Sequence, residues 1–215
     1  MNPKHLFVSI LLFPLVNAAI DPKSALDGHH NSEIDSIYSV LEHSHQILPD
    51  AEVFQSAMQS IREKTSLSPE IVSIIDFRKP STEKRFWVID IKRGKVLHHT
   101  LVAHGKNSGD LYAKEFSNIV DSRQSSLGLF VTGETYIGKH GLSLKLHGLE
   151  PGVNDLAEDR AIVIHGADYV SEIFVKRTGR LGRSFGCPAI PFDNHKEIIN
   201  TLANGACLYI HYTSS

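Results

Sequence analysis

Residues 182–191 read Gly-Arg-Ser-Phe-Gly-Cys-Pro-Ala-Ile-Pro, and this stretch constrains the chain more than any other. Glycine permits backbone conformations that other residues avoid, and proline fixes the chain on the far side of Cys187. The thiol is therefore predicted to lie on a stiff, irregular turn rather than along a helix or a strand. A cysteine held in this way is suited to act as a nucleophile, provided that a base lies beside it.

A candidate base lies upstream, where residues 160–168 read Arg-Ala-Ile-Val-Ile-His-Gly-Ala-Asp. The apolar run predicts a buried strand that ends at His165, and Gly166 leaves space beside the ring. A thiol on a turn and an imidazole at a strand end suggest a cysteine nucleophile with its general base. The alternative is a structural histidine, since a lone histidine at a strand end often has no catalytic role.

The second cysteine leaves another alternative open. Cys207 lies in the apolar run 206–211, which predicts a buried strand. In an oxidising compartment a pair of cysteines usually forms a disulfide, so a bridge between Cys187 and Cys207 has to be considered. We favour one reactive thiol and one buried, inert thiol.

A metal site is the remaining alternative, because the chain contains 13 histidines. No H-E-x-x-H motif and no clustered cysteines occur, and the adjacent histidines 98–99 would point to opposite faces of a strand. The sequence therefore predicts no metal.

Composition and the first residues indicate the class of protein and its compartment. The chain has 215 residues, 41% of them hydrophobic, and a net charge of −2, which fits one globular domain and excludes a basic nucleic-acid-binding surface. Residues 1–19 combine a weakly positive head, an apolar run and small residues that end at Ala18 and Ala19, as in a signal peptide. An uncleaved anchor is the alternative, although the run is short for a permanent membrane span. We expect a periplasmic or secreted protein without a stable membrane span after cleavage.

The pattern of the remaining chain predicts a mostly β, α+β fold in two parts. Residues 20–66 form a polar tail and a helical segment, and residues 67–215 form the catalytic domain. No assignment is made for residues 169–175. The predicted helices cover 32–47, about 50–61 and 192–203, and the predicted strands cover 71–76, 85–91, 96–103, 129–137, 142–147, 160–165 and 207–212, with a long loop at 104–128.

These residues together carry a resemblance to a known family. A strand that ends in His-Gly and is followed by Ser-x-Gly-Cys resembles the L,D-transpeptidase catalytic domain of the YkuD type. The form Gly-Arg-Ser-Phe-Gly-Cys-Pro-Ala resembles the divergent second branch of that superfamily, and residues 133–141 and 160–169 match it as well. The resemblance covers residues from about 70 to 212. It implies a β-sandwich-like fold and a cysteine enzyme that crosslinks peptidoglycan stem peptides.

The resemblance also implies roles for individual residues. Cys187 would be the nucleophile, His165 the base, and Ser184 would orient the imidazole through its backbone carbonyl. The amides of Gly186 and Cys187 would form the oxyanion hole. Such enzymes need no cofactor, and many are acylated by carbapenems. The candidate substrate-binding residues are Arg183, Tyr136, Lys139, Ser143 and Phe185.

One departure from the family pattern keeps the reaction open. Phe185 stands where the commoner branch has a histidine, so the acceptor of the acyl group is not fixed by the resemblance. The leading hypothesis is an L,D-transpeptidase. An L,D-carboxypeptidase or endopeptidase, in which water is the acceptor, and a non-catalytic wall-binding module are the alternatives.

Overall fold

The computed structural model of the protein describes residues 22–64 and 68–214. The predicted signal segment, residues 1–19, lies outside the described residues. Within those two ranges no helix has both the length and the apolar character needed to cross a bilayer. In chain order the elements are α1 (Pro22–His43), α2 (Ala51–Lys64), β1 (Ile71–Asp76), β2 (Phe86–Asp90), β3 (Lys95–Thr100), a 3₁₀ turn (Lys106–Ser108), β4 (Gly128–Gly138), β5 (Gly141–Gly148), β6 (Val163–Ala167), α3 (Glu172–Thr178), β7 (Ala189–Pro191), α4 (His195–Leu202) and β8 (Cys207–His211).

The strands form one eight-stranded sheet in the order β3-β2-β1-β8-β4-β5-β6-β7. The predicted hairpin is confirmed, since β2 and β3 pair antiparallel, and β4 and β5 pair in the same way. The strand β8 lies inside the sheet, parallel to β1 on one side and antiparallel to β4 on the other. The last strand in chain order therefore joins the two halves of the sheet.

Alternation along β1 shows how the sheet separates two apolar layers. Val72 and Ile74 face α1 and α2, where Phe54 is fully buried, whereas Ile75 faces the opposite layer. Side chains on a strand alternate between faces, so both faces of β1 are covered. The helices at the start of the domain thus cover one face of the sheet.

The opposite layer is enclosed by the sheet itself and by α4. Val88 of β2 and Ile164 of β6 lie far apart in strand order, yet both belong to one buried cluster with Ile198 of α4. The sheet therefore curls over this core, as the two layers of a sandwich do. The predicted mostly β fold, with N-terminal helices and one helix near the C-terminus, is confirmed.

Two elements differ from the prediction. The helix α1 begins at Pro22 rather than at Ser32, and proline is favoured in the first turn of a helix. The unassigned stretch after Tyr169 contains α3, which begins after Ser171, whose hydroxyl accepts the Phe174 N–H at 3.2 Å. None of the residues of α3 is buried, so the helix has no apolar periodicity that a sequence pattern could reveal.

The two cysteines are free thiols on opposite sides of the sheet. Cys207 is fully buried in the layer beneath the N-terminal helices, and Cys187 packs against the layer enclosed by the sheet. The disulfide alternative is therefore wrong, because the body of the sheet separates the two side chains.

Candidate active site

Pairing of two short strands brings the predicted nucleophile and base together. The strands β6 and β7 are parallel, with His165 opposite Ala189, and the His165 N–H donates to the Pro188 carbonyl at 3.4 Å. Cys187 directly precedes Pro188, so the thiol lies just before the start of β7 and faces the same cavity as the imidazole. Because β7 follows the cysteine turn and pairs with β6, the side chains of Cys187 and His165 lie on the same wall of a cavity.

That wall borders a cavity of about 700 Å³. Of the predicted site residues, only Gly186 is not part of its lining. The cavity also has charged residues that the sequence did not single out, among them Asp121, Asp159 and Arg160. The predicted residues that line it are Tyr136, Lys139, Ser143, His165, Arg183, Ser184, Phe185 and Cys187.

Ser184 holds the cysteine turn, although in a way that differs from the prediction. Its hydroxyl donates to the Cys187 carbonyl at 2.6 Å and accepts the Gly186 N–H at 3.1 Å. Its carbonyl accepts the Lys106 N–H at 2.8 Å, and the imidazole of His165 is held elsewhere. The turn is tight enough for a hydroxyl to reach both neighbours, so Ser184 braces the turn and occupies the Gly186 amide that was expected in the oxyanion hole.

His165 is oriented by its own strand. Its Nδ1 lies 3.0 Å from the Gly166 carbonyl, so Nδ1 carries the proton and Nε2 is left as the basic atom. Burial lowers the pKa of His165; the Gly166 contact opposes this effect, and nearby His140, Lys139 and His195 reinforce it. The imidazole is therefore neutral at neutral pH and can accept a proton.

The thiol is in its protonated form at rest. Burial raises the pKa of Cys187, while the N–H groups of Val163 and of Cys187 itself, together with the charges of Arg160 and Lys139, oppose that rise. The sulfur donates to the Ala161 carbonyl at 3.7 Å. A thiol with a raised pKa beside an imidazole with a lowered pKa forms a neutral pair rather than a thiolate–imidazolium pair.

Arg160 was not recognised from the sequence as a site residue. Its guanidinium donates to the Ser117 carbonyl at 2.6 Å, to the Ser122 hydroxyl at 3.2 Å, and to Ser126 and Gln124. These bonds hold the loop 117–126 against the cysteine turn. The available signal was its position at the start of the strand that ends in His165.

His140 was also missed, although it lies in the quoted stretch 133–141. Its ring stacks on His165, with centroids 4.4 Å apart and planes inclined by 20°. Burial lowers the pKa of His140, and Lys139 adds to this effect, so the second ring is neutral as well. Ser143, opposite His165 across β5 and β6, is buried and donates to the Gly141 carbonyl at 3.2 Å, which makes it part of the frame of the site.

The cations around the cavity differ in how they are engaged. Arg183 donates to the Asp110 carboxylate at 2.8 Å and to the Gly109 carbonyl at 3.0 Å. The guanidinium of Arg123 lies over the ring of Phe185, 4.7 Å from its centroid. Within residues 22–64 and 68–214, Lys139 has no hydrogen-bonded or ion-paired partner. Lys139 is therefore free to bind an anionic group, and so is Arg123, whose guanidinium contacts the Phe185 ring but has no hydrogen-bonded or ion-paired partner within the same ranges.

The chain also matches a known protein family. A family model described as the L,D-transpeptidase catalytic domain matches residues 46–211. None of the curated proteins compared with the chain matches it.

Solved structures also resemble the chain. An L,D-transpeptidase from Mycobacterium smegmatis is 14% identical, with a TM-score of 0.41, over 66% of this chain and 59% of that one. An L,D-transpeptidase in complex with imipenem is 14% identical, with a TM-score of 0.40, over 66% of this chain and 59% of that one. The helical cell shape determining protein Pgp2 from Campylobacter jejuni is 14% identical, with a TM-score of 0.40, over 74% of this chain and 56% of that one. This chain thus spans less than two thirds of the length of these three proteins.

Proposed function

Because the chain belongs to the L,D-transpeptidase catalytic domain family, we propose that it is an exported enzyme that crosslinks peptidoglycan stem peptides through a thioester on Cys187. The observation that carries the proposal is the parallel pairing of β6 and β7, which sets His165 beside Cys187 at the wall of the cavity. The signal-like residues 1–19 support export to the periplasm or beyond.

In the first half of the reaction, Nε2 of His165 takes the proton of the Cys187 thiol as the sulfur attacks the stem carbonyl. A sulfur–carbon bond forms, and the oxyanion that develops is stabilised by the Cys187 N–H. The bond between the carbonyl carbon and the terminal D-alanine nitrogen then breaks, and His165 returns the proton to that nitrogen. The neutral resting pair suits this sequence, because the thiolate exists only while substrate is present.

In the second half, an amine of a neighbouring stem attacks the thioester. His165 takes a proton from the amine, the new carbon–nitrogen bond forms, and the sulfur leaves and regains the proton from His165. Asp121 and Asp159 line the same cavity and would attract the cationic amine of an acceptor stem, although the four cations Arg123, Lys139, Arg160 and Arg183 line it too.

Lys139 supplies the binding site for the carboxylate of the terminal D-alanine. Within the described ranges it has no hydrogen-bonded or ion-paired partner, and an ammonium group binds carboxylates through charge-assisted hydrogen bonds. Tyr136 and Phe185 are 38% and 63% exposed at the cavity, so they are available to pack against the stem. The carboxylate of a carbapenem would bind to Lys139 in the same way, before the carbapenem acylates Cys187.

The test uses purified tetrapeptide muropeptides and mass spectrometry. The wild-type protein is expected to release D-alanine and form crosslinked dimers, whereas Cys187→Ala should do neither. Tripeptides without dimers would identify a hydrolase instead. Cys207→Ala is the matched control, because that cysteine is buried on the other side of the sheet and its loss should leave turnover intact. Unchanged substrate with folded wild-type protein would contradict the proposal.

A further inference from the structure

Ser125 is a buried serine at the back of the cysteine turn. Its hydroxyl donates to the Gly186 carbonyl at 3.0 Å and accepts the Gly105 N–H at 3.0 Å. Its own N–H donates to the Ser108 hydroxyl at 2.9 Å, and its carbonyl accepts the Ser117 N–H at 3.0 Å. With 1% of its surface exposed, Ser125 does not reach the cavity, and its most direct contact with the cysteine turn is the bond to Gly186.

The direction of the Ser125 hydroxyl is determined by its two partners. A serine hydroxyl has one proton to donate. Because the oxygen accepts the N–H of Gly105, the proton is left to bond with the carbonyl of Gly186. The hydrogen bond from the Ser125 hydroxyl to the Gly186 carbonyl is therefore fixed in direction by the second bond that the same hydroxyl makes.

That carbonyl belongs to the same peptide unit as the Cys187 N–H. The peptide unit is planar and trans, so its C=O and its N–H point in opposite directions. A hydroxyl that holds the Gly186 oxygen on the inner side directs the Cys187 N–H to the outer side. That N–H lies against the Cys187 sulfur, next to which the oxyanion of an attacked carbonyl would develop.

Gly186 makes such a restraint necessary. Its φ of 127° lies in a region that glycine alone adopts readily, and a glycine offers little resistance to rotation of the adjoining planar peptide unit about the single bonds that flank it. The peptide units on either side are held by Ser184, through the Gly186 N–H and the Cys187 carbonyl. In the peptide unit between them, the Gly186 carbonyl is held by Ser125.

We propose that Ser125 is a positioning residue, whose hydroxyl fixes the Gly186–Cys187 peptide so that the Cys187 N–H stabilises the oxyanion. The inference rests on the proposed function, since it assigns a device to the acylation step. A further gain comes from cooperativity, because a hydrogen bond to the carbonyl of a peptide polarises its N–H.

Two reagents separate this role from a general loss of structure. Iodoacetamide alkylates the thiol without forming an oxyanion, whereas meropenem acylates it through a tetrahedral intermediate. In Ser125→Ala we expect acylation by meropenem to slow by about tenfold or more, up to the hundred- to thousandfold typical of losing an oxyanion donor. Alkylation should slow by a few-fold at most, because the Cys187 N–H is only one of several groups that stabilise the thiolate, beside the Val163 N–H, Arg160 and Lys139.

Ser73→Ala is a matched control. Ser73 is fully buried and its hydroxyl donates to the carbonyl of Cys207 at 3.0 Å, so it loses the same kind of bond away from the cavity. Both rates should remain at the wild-type level in this variant. If Ser125→Ala does not fold, Ser125→Thr and Ser125→Val carry the comparison, since they have nearly the same shape and differ in the hydroxyl.

Equal loss of both rates, or no change in either, in a folded variant would overturn the inference. So would a wild-type thiol that iodoacetamide alkylates and meropenem does not acylate. The proposed function can fail without the inference failing. In that case muropeptides give no crosslinked dimers, yet Ser125→Ala still slows acylation by meropenem more than alkylation by iodoacetamide.

Discussion

Alkylation of Cys187 by iodoacetamide should accelerate about tenfold for each pH unit between pH 6 and pH 8, with no plateau. Burial holds the pKa of the thiol above its ordinary value, against the opposing effects of the Val163 N–H and Arg160. An ordinary thiol is already only a few per cent thiolate at pH 7, so this one has less. Since the thiolate is the form that reacts, the rate should rise about a hundredfold over those two units.

The protonation state of His165 supports the predicted dependence of the alkylation rate on pH. Its pKa is lowered, chiefly by burial, so the imidazole is neutral at pH 7 and above and provides no positive charge there to stabilise a thiolate. A thiolate–imidazolium pair would behave differently, because its thiolate would be present from acid pH upward and the rate would be nearly flat.

The assay measures the alkylation rate by intact mass from pH 5 to pH 9 in Cys207→Ala, where Cys187 is the one remaining cysteine. Cys207 itself should contribute little, since burial raises its pKa to about 11. The double variant with Cys187→Ala gives the background. A flat profile between pH 5 and pH 8 would refute the neutral pair and, with it, the view that His165 acts as a base toward a protonated thiol.

Three further predictions concern substrate binding, the base and the fold. Lys139→Ala should raise KM for the tetrapeptide by up to about fivefold with little change in kcat, as expected for an exposed contact between charges, and steady-state kinetics will show it. His140→Phe keeps a ring on His165 but removes a group that lowers its pKa, so the acid limb of kcat/KM should move to higher pH. The shift should be small, because burial, and not His140, is the main cause of the lowered pKa of His165. Phe54→Ala should lower the free energy of unfolding by about 3–5 kcal/mol in a denaturant titration, yet leave the activity of folded molecules unchanged, because Phe54 lies on the other side of the sheet.

Local patterns in the sequence predicted much of the sheet. The β-branched runs at β1 and β2, and the turn between β2 and β3, follow from residues that are neighbours in the chain. The position of β8 between β1 and β4 does not, because it depends on pairing between segments that are far apart in sequence. The exposed helix α3 was missed for another reason, since its ends are set by the cap residues Ser171 and Gly179 and not by an apolar stripe.

The residues of the candidate site differ in the same way in how far the sequence predicted them. Cys187 and His165 were found because each lies in a short motif with an unusual neighbour, a glycine or a proline. Ser125 and His140 act on that pair from separate segments, and no pattern within the chain connects a serine in a loop to a carbonyl 61 residues away. Contacts of this kind become visible only when the fold brings the segments together.

The central position of β8 in the sheet has a consequence for the order in which the protein is synthesised and folds. Ribosomes deliver β1 to β7 first, and until β8 arrives the two halves of the sheet have no strand between them. A chain that crosses a membrane with its N-terminus leading would remain divided until its last strand had emerged on the far side. The buried cluster that Leu208 of β8 shares with Val88 of β2 and Ile164 of β6 would then be completed only on that side.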